Sequence, residues 1–331
     1  MSPRERRENE MASEPIKKKI SIIAPCYNEE GNVDACYARV KELFEGPSAP
    51  LSCYDWELIF CDNASLDGTE ARLRKLVNDL HVKVILNSRN FGPSPSAFNG
   101  CFAATGDAVI FQSSDLQDPP EMIPKYVRLW EEGNQVVFGT RSGRKDPFLL
   151  AQFRKVYYKI LAHLSPTPVH PQSCPYLMSR PVVNAIEAYD DYNPLLRGLI
   201  PLMGFTSATI VVPLSERISG KSSFTFFSYL DEALNTFIRL SPLPLRLALI
   251  MGFMLSALSL MVAFAVLIWG LYGLASGETL TKPGFKTFAI GGLFLFGIQM
   301  FFIGIIGEYV GAIHAQVRKG PLVIERERIN F

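Results

Sequence analysis

Two stretches of this chain carry no charge at all. From residue 247 to 277 and from 287 to 307 there is no Asp, Glu, Lys or Arg, and Gln299 is the one strongly polar side chain of the second stretch. Coiled as helices rising about 1.5 Å per residue, these 31 and 21 residues reach about 46 and 31 Å, against a hydrocarbon core of about 30 Å. The sequence therefore predicts two transmembrane helices, about 247–275 and 287–310, in preference to buried helices of a large soluble core. The segment between them, 276–285, is short, so the pair is expected to form a hairpin with both flanks on one side. Arg239 and Arg246 before it and Arg318 and Lys319 after it outweigh Lys282 and Lys286 within the loop, which favours the cytoplasm for both flanks.

The remainder reads differently. With 33 basic against 32 acidic side chains the net charge is +1, which offers no concentrated basic surface for nucleic acid. The six cysteines (Cys26, Cys36, Cys53, Cys61, Cys101, Cys174) contain no CxxC pair and the four histidines no HxxxH. Neither a zinc site nor a disulfide framework is written here, and reduced thiols facing the cytosol are expected. Residues 1–19 are charged and lack an apolar core, so they read as a disordered lead, neither signal peptide nor anchor. From Ile20 on, short apolar runs (ISIIAPCYN, WELIFCDNAS, VKVILNSRN, DAVIFQSSD, QVVFGTRS) alternate with helical patterns around Val33–Phe44, Thr69–Leu80 and Phe98–Ala104. Strands alternating with helices predict an α/β layer on a mostly parallel, Rossmann-like sheet, whose ligands sit at the carboxyl ends of the strands.

Those ends are where the polar residues collect: Pro25-Cys26-Tyr27-Asn28-Glu29, Asp62-Asn63-Ala64-Ser65-Leu66-Asp67-Gly68-Thr69, Ser88-Arg89-Asn90-Phe91-Gly92 and Ser114-Asp115-Leu116-Gln117-Asp118-Pro119-Pro120-Glu121. Singly, each is as readily a turn, because Asn, Asp and Gly are what turns require. Four in this order resemble the nucleotide-sugar-binding domain of family 2 glycosyltransferases with the GT-A fold. The DLQDPPE segment is similar to that of enzymes that move a sugar onto a polyprenyl phosphate, among them dolichyl-phosphate mannose synthase and the bacterial GtrB and ArnC types. The likeness continues through SERISGKSS, PLPLR and IGEYVGAIHAQVRKGP.

The resemblance implies that Pro25, Tyr27, Glu29 and Asp62 hold the base and ribose of the donor, with Arg89 and Asn90 close by, and that Ser113, Asp115 and Gln117 face its diphosphate. It also implies a divalent cation, Mg²⁺ or Mn²⁺, on Asp115 and Gln117. A carboxylate and an amide oxygen are hard ligands of the kind such cations take, and a cation there would neutralise charge on the leaving diphosphate. Four positions depart from the family pattern. Ser113 stands where the first Asp of DxD is expected, Cys174 and Tyr176 stand where an acceptor-side Asp and an Arg are expected, and Ser223 replaces a Lys, with Lys221 two residues earlier. With one fewer carboxylate, dependence on the cation is left open.

A phosphate monoester has its second pKa near ~6 and arrives as a dianion, so it attacks without a base but needs cationic partners. Arg141, Arg197, Arg217 and Lys221 are the candidates, Arg141 and Arg217 foremost because the family's segments contain them. Apolar residues at helical spacing over Phe148–Leu164 and Phe224–Ile238 predict amphipathic helices, facing either the membrane surface or the domain core. The expected organisation is a lead (1–19), a GT-A domain (20–223), an interfacial helix (224–244), the two-helix anchor (245–313) and a cytoplasmic tail (314–331).

Taken together, the implied activity is inverting transfer of a sugar from a nucleotide-sugar donor to a polyprenyl phosphate, undecaprenyl or dolichyl. The setting is an integral, multi-pass protein of the bacterial inner membrane with its catalytic domain in the cytosol; tetramers among similar enzymes allow a homo-oligomer. The alternative is a catalytically degenerate relative that binds lipid phosphate or a partner. A processive polysaccharide synthase is disfavoured by the lack of QxxRW and by too few spans. A chain shortened to end near Ser241 is expected to keep nucleotide binding.

Overall fold

A computed structural model describes residues 17–142, 152, 173–191, 196–213, 243–275, 285–318 and 320–331. The N-terminal lead up to residue 16, nearly all of the amphipathic segment 148–164, the segment 224–242, the 276–284 loop, Arg217, Lys221 and Ser223 lie outside them. The described residues fall into two compact units, one holding 17–142, 152, 173–191, 196–213 and 320–331, the other 243–275 and 285–318.

The first unit is built on one sheet of eight strands: β1 (Lys19–Cys26), β2 (Asp55–Asp62), β3 (Val82–Asn87), β4 (Ala108–Phe111), β5 (Val136–Ser142), β6 (Ser173–Ser179), β7 (Ser207–Pro213) and β8 (Glu325–Ile329), in the spatial order β7-β5-β6-β4-β1-β2-β3-β8. β1 pairs in parallel with both β2 and β4, and β2 with β3. β6 runs antiparallel to β4 and to β5, which returns β5 and its parallel partner β7 to the direction of β4. β1, at the centre of the parallel block, is apolar on both faces, as a doubly covered strand requires.

Among the described residues, six α-helices cover the sheet: α1 (Val33–Glu45), α2 (Thr69–Leu76), α3 (Pro93–Ala103), α4 (Ile123–Glu131), α5 (Arg180–Tyr189) and α6 (Leu196–Met203). Val33, Cys36, Val40, Leu43 and Phe44 of α1 recur at helical spacing and pack with Leu73 of α2 and Tyr126 of α4 on Ile22, Leu58 and Phe60. Phe98 and Cys101 of α3, Val183 and Ile186 of α5 and Ile200 of α6 pack on Ile23, Ile59 and Ile85, on the other face. α3 lies so close that a Cβ on Gly100 would collide with Cys61 Sγ and come 2.8 Å from Ile23 Cγ2. The helix expected over Thr69–Leu80 ends at Leu76. Beyond it Asp79 turns inward, its carboxylate accepting from Lys41 Nζ and Tyr37 Oη at 2.7 Å each and from the His81 amide at 3.0 Å.

The tail expected at 314–331 is more than a tail. α8, named below, continues to Val317, and the residues after 320 carry β8, antiparallel on β3. A chain ending near Ser241 would lack β8, an edge strand of this sheet.

The second unit consists of α7 (Leu243–Ala275) and α8 (Phe285–Val317), each of 33 residues. The windows Leu245–Val262 and Phe294–Val317 are apolar and long enough to cross a membrane, and none of either is buried. Phe253 and Leu260 are about three-quarters exposed, apolar surface that an ordinary soluble helix turns inward.

Glu57 of β2 is a buried carboxylate with charged partners. Its oxygens accept from Ser21 Oγ, the Thr105 amide and Thr105 Oγ1, and Lys83 Nζ and Lys19 Nζ lie 2.8 and 3.2 Å away. Burial alone would raise its pKa, but Lys83, Ser21, Thr105 and Lys19 together bring it down to about 2. A carboxyl whose folded pKa is depressed adds stability that is present above its unfolded pKa and is lost as pH falls towards about 2. Glu57→Ala should cost about 2–3 kcal/mol in urea unfolding at neutral pH. That is less than the ~3–5 kcal/mol of a fully buried pair, because both lysines keep a route to water. The difference from wild type should shrink below pH 4; a constant difference down to pH 2.5 would refute the ionic account.

Candidate functional site

Parallel pairing brings the carboxyl ends of β1, β2, β3 and β4 to one edge, about 5 Å apart from strand to strand. The chain crosses to one face after β1 and β2 and to the other after β3, so the crevice of a doubly wound sheet opens between β1 and β4. Pro25 is the last residue but one of β1, Tyr27 and Glu29 follow it, Asp62 ends β2, Arg89 and Asn90 follow β3, and Ser113, Asp115 and Gln117 follow β4. All nine sequence-predicted donor residues thus share this edge.

The loops are tied to one another. The Asn28 amide donates to Ser65 Oγ at 2.9 Å, Asn28 Oδ1 accepts from the Leu66 amide at 2.8 Å, and the Glu29 amide donates to Thr69 Oγ1 at 2.9 Å. Asp62 is fully buried beneath this latch, one oxygen accepting from Ser65 Oγ and the other from the Ser65 amide. Burial raises its carboxyl above the ordinary range, and the Ser65 hydrogen bonds offset part of that. Deeper still, Asn87 Nδ2 donates to Asn63 Oδ1 and Ser96 Oγ at 3.0 Å each, and Asn63 Nδ2 donates to the Gly92 carbonyl at 3.2 Å. Sequence reasoning assigned no role to Asn63, Asn87 or Ser65. The available signal was a polar residue at the last position of an apolar strand, where an amide is costly unless both neighbours bind it.

The loop after β4 alternates. Gln112, Ser114, Leu116 and Asp118 are buried, while Ser113, Asp115 and Gln117 are partly exposed. Leu116 adopts φ +58° and drops its side chain into the core; Ser114 Oγ donates to the Pro25 carbonyl at 2.9 Å, and Gln112 Nε2 to the Asp118 carbonyl at 2.6 Å. With that side anchored, Ser113, Asp115 and Gln117 face the open side together. Asp115 Oδ1 accepts from Ser113 Oγ at 2.5 Å and from the Gln117 amide at 3.1 Å. Where the family places a second carboxylate, a neutral hydroxyl donates to the first. One carboxylate, one amide oxygen and one hydroxyl remain a hard-oxygen set that fits Mg²⁺ or Mn²⁺, with less charge to hold it.

Arg141 is near the end of β5, opposite Val212 of β7, at the same edge as Asp115 because β5 runs parallel to β4. Cys174 and Tyr176 lie in the first half of β6, at that edge too, and Arg197 opens α6. A second group of ligand types, Glu45, Asp79 and His81, gathers at the opposite edge with its ligand atoms within 4.8 Å. Lys41 Nζ already stands among them, 2.7 Å from Asp79 and 3.3 Å from Glu45.

If the Asn87 brace sets the two loops, Asn87→Ala should cost about 1–3 kcal/mol, the cost of leaving Asn63 and Ser96 without it, and should weaken nucleotide binding although Asn87 itself is buried. Urea unfolding and calorimetric titration with UDP and GDP measure the two effects; unchanged binding in a destabilised variant would deny the brace any part in the site.

Residues 21–185 match the glycosyl transferase family 2 domain. The chain is 32% identical over 310 residues to the prophage bactoprenol glucosyl transferase homolog of Escherichia coli strain K12, covering 92% of this chain and 98% of that one. It is 30% identical over 315 residues to the bactoprenol glucosyl transferase of Shigella phage SfX, covering 94% and 99%. Among solved structures, glucosyl-3-phosphoglycerate synthase from Mycobacterium tuberculosis, in complex with Mn²⁺, UDP-glucose and phosphoglyceric acid, is similar over 67% of this chain and 78% of that chain, with 18% identity and a TM-score of 0.46. Its sheet, its polar carboxyl edge and an identity of 30% or more nearly from end to end place the chain in glycosyltransferase family 2, as a glycosyltransferase of GT-A-like fold.

Proposed function

We propose that this glycosyltransferase moves a sugar, with inversion, from a nucleotide-sugar donor to a polyprenyl phosphate at the cytoplasmic face of a membrane. The observation that carries the reading is the extent of the likeness. The bactoprenol glucosyl transferases align over 98 and 99% of their own lengths, a span that takes in the two apolar helices as well as the sheet.

The donor's base and ribose would lie over the latched loops after β1 and β2, against Pro25, Tyr27 and Glu29, with Asp62 acting through the Ser65 turn it holds. Arg89 and Asn90 would close the β3 side. Asp115 and Gln117, with Ser113, would hold Mg²⁺ or Mn²⁺, which when bound supplies positive charge to the leaving diphosphate. The acceptor phosphate oxygen needs positioning rather than deprotonation, and Arg141, Arg197, Arg217 and Lys221 are the cations proposed to receive it. Cys174 then has no proton to take.

Strand order supports the membrane arrangement. β7 and β8 belong to one sheet, and the two apolar helices lie between them in the chain. If those helices cross a membrane, they cross it an even number of times, since a sheet cannot be shared across a bilayer. A hairpin meets that condition, and nucleotide sugars, being cytosolic, put the sheet on the cytoplasmic side.

Incubating the chain in membranes with a panel of nucleotide sugars and undecaprenyl or dolichyl phosphate, then weighing the lipids by mass spectrometry, tests the reading. A sugar on the lipid phosphate is expected. Asp115→Ala should lower transfer by about a hundredfold or more, the loss of several kcal/mol of charge stabilisation, and Cys174→Ala should retain most of it. Donor bound but never transferred would favour the degenerate alternative.

Topology has its own measure. In a Cys53→Ser, Cys174→Ser background, a cysteine at Thr281 should react with impermeant reagent from the extracytoplasmic side only, and one at Ser2 from the cytosolic side only. The reverse pattern would sink the cytosolic-donor mechanism.

A further inference from the structure

β8 lies against the donor half of the site. Val84 of β3 stands opposite Ile329, Leu86 opposite Glu327 and Asn87 opposite Glu325, with an irregularity in register between Leu86 and Asn87. One residue further, the Ser88 amide donates to the Ile324 carbonyl at 2.8 Å. Asn99 of α3 donates to Glu325 Oε1. Val323 is buried, Leu322 packs against the core on the α3 face, and Ile329 packs against the core on the α1 face. Residues 322–329 therefore strap the edge of the sheet where β3 hands over to the Ser88–Gly92 loop. That loop carries Arg89 and Asn90, and Asn87 just before it is the brace that binds Asn63.

We propose that β8 is a positioning element of the donor site, so that nucleotide binding is completed only by a chain that has returned to the sheet after its two apolar helices. The proposal rests on the reading of Arg89 and Asn90 as donor residues. Without β8, the amides at the end of β3 become an unpaired edge and the loop is held by β3, α3 and the Asn63 contact to the Gly92 carbonyl. A loop that must be ordered at the moment of binding lowers affinity in proportion to the fraction of time it is out of place. A chain whose helices had not inserted as a hairpin would lack the strap, and would be poor at binding the sugar nucleotide.

The test uses the full-length chain in lipid nanodiscs with Val323→Asp, which places a charge under the strap, Glu325→Pro, which disturbs the pairing opposite Asn87 from the surface, and the conservative Val323→Ile. Two quantities are read: hydrogen exchange of the amides at 86–92, and equilibrium binding of UDP and of GDP. The first two variants should exchange at 86–92 about tenfold faster and bind nucleotide about tenfold more weakly, with β1 and β4 still protected and Val323→Ile like wild type. Faster exchange with unchanged nucleotide binding in Glu325→Pro would overturn the proposal, as would unchanged exchange in both variants. Transfer to lipid phosphate by the unaltered chain is scored separately. Nucleotide binding lost in the variants while the unaltered chain transfers nothing would uphold the positioning role and refute the proposed acceptor.

Discussion

Parallel pairing of β1 with both of its neighbours is the constraint from which the rest follows. A parallel strand can be re-entered only by a crossover, so each of β1, β2 and β3 must send the chain over a face of the sheet and back. The loops that begin those crossovers all leave from one edge. Helices then cover both faces, which leaves the carboxyl edge as the place where strand ends can meet a ligand without losing a packed neighbour. The residues there are polar because the backbone groups at the ends of four buried strands need partners that the sheet no longer supplies.

Those partners come from the neighbouring loop. Asn28, Ala64 and Leu116 all have φ between +56° and +59°, one in each of the loops after β1, β2 and β4. For Ala and Leu the left-handed region costs about 1 kcal/mol or more, and such strain persists only where surrounding contacts fix it. Here the contacts are the Ser65 latch and the buried Leu116 side chain. The loops are thereby set before any ligand arrives, which spares a ligand the cost of ordering them. Ser113 belongs to the same economy. An aspartate at 113 would sit against Asp115 and call for a cation to hold the pair together, whereas the serine hydroxyl satisfies Asp115 by donating to it.

Much of this edge was legible in the sequence, because an apolar run stopped by Asn, Asp or Ser marks both a strand and its end; β1 to β5 follow from that signal, and with them the location at one edge of the nine residues that the resemblance singles out. What was not legible has a physical reason in each case. Asn87 reads as one more polar residue in NSRN, and its importance lies in meeting Asn63, 24 positions earlier, across two strands. β6 is short, antiparallel and contains Pro175, so it resembles a loop. The end of α2 at Leu76 depends on Asp79 finding Lys41 and Tyr37 of another helix, contacts that no local pattern announces.

β8 is the extreme case, since ERERI has neither an apolar face nor a turn signal and reads as solvated tail. Its stability comes from outside its own composition. The backbone pairs with β3, Arg74 of α2 meets Glu327, Arg326 meets Glu70, and the Asn330 side chain donates to the carbonyls of Val77 and Val82. Exposed ion pairs contribute little each, on the order of 0.2–1 kcal/mol, so the charges do more to specify than to stabilise. Alternating Glu and Arg select β3's flank, where Glu70 and Arg74 wait on one helix, and leave the outer edge of β8 too charged to recruit a further strand. Its pairing with β3 spans more than 230 residues of sequence, a loop that includes both apolar helices, so closing it carries a larger entropic cost than any other strand pairing among the described residues.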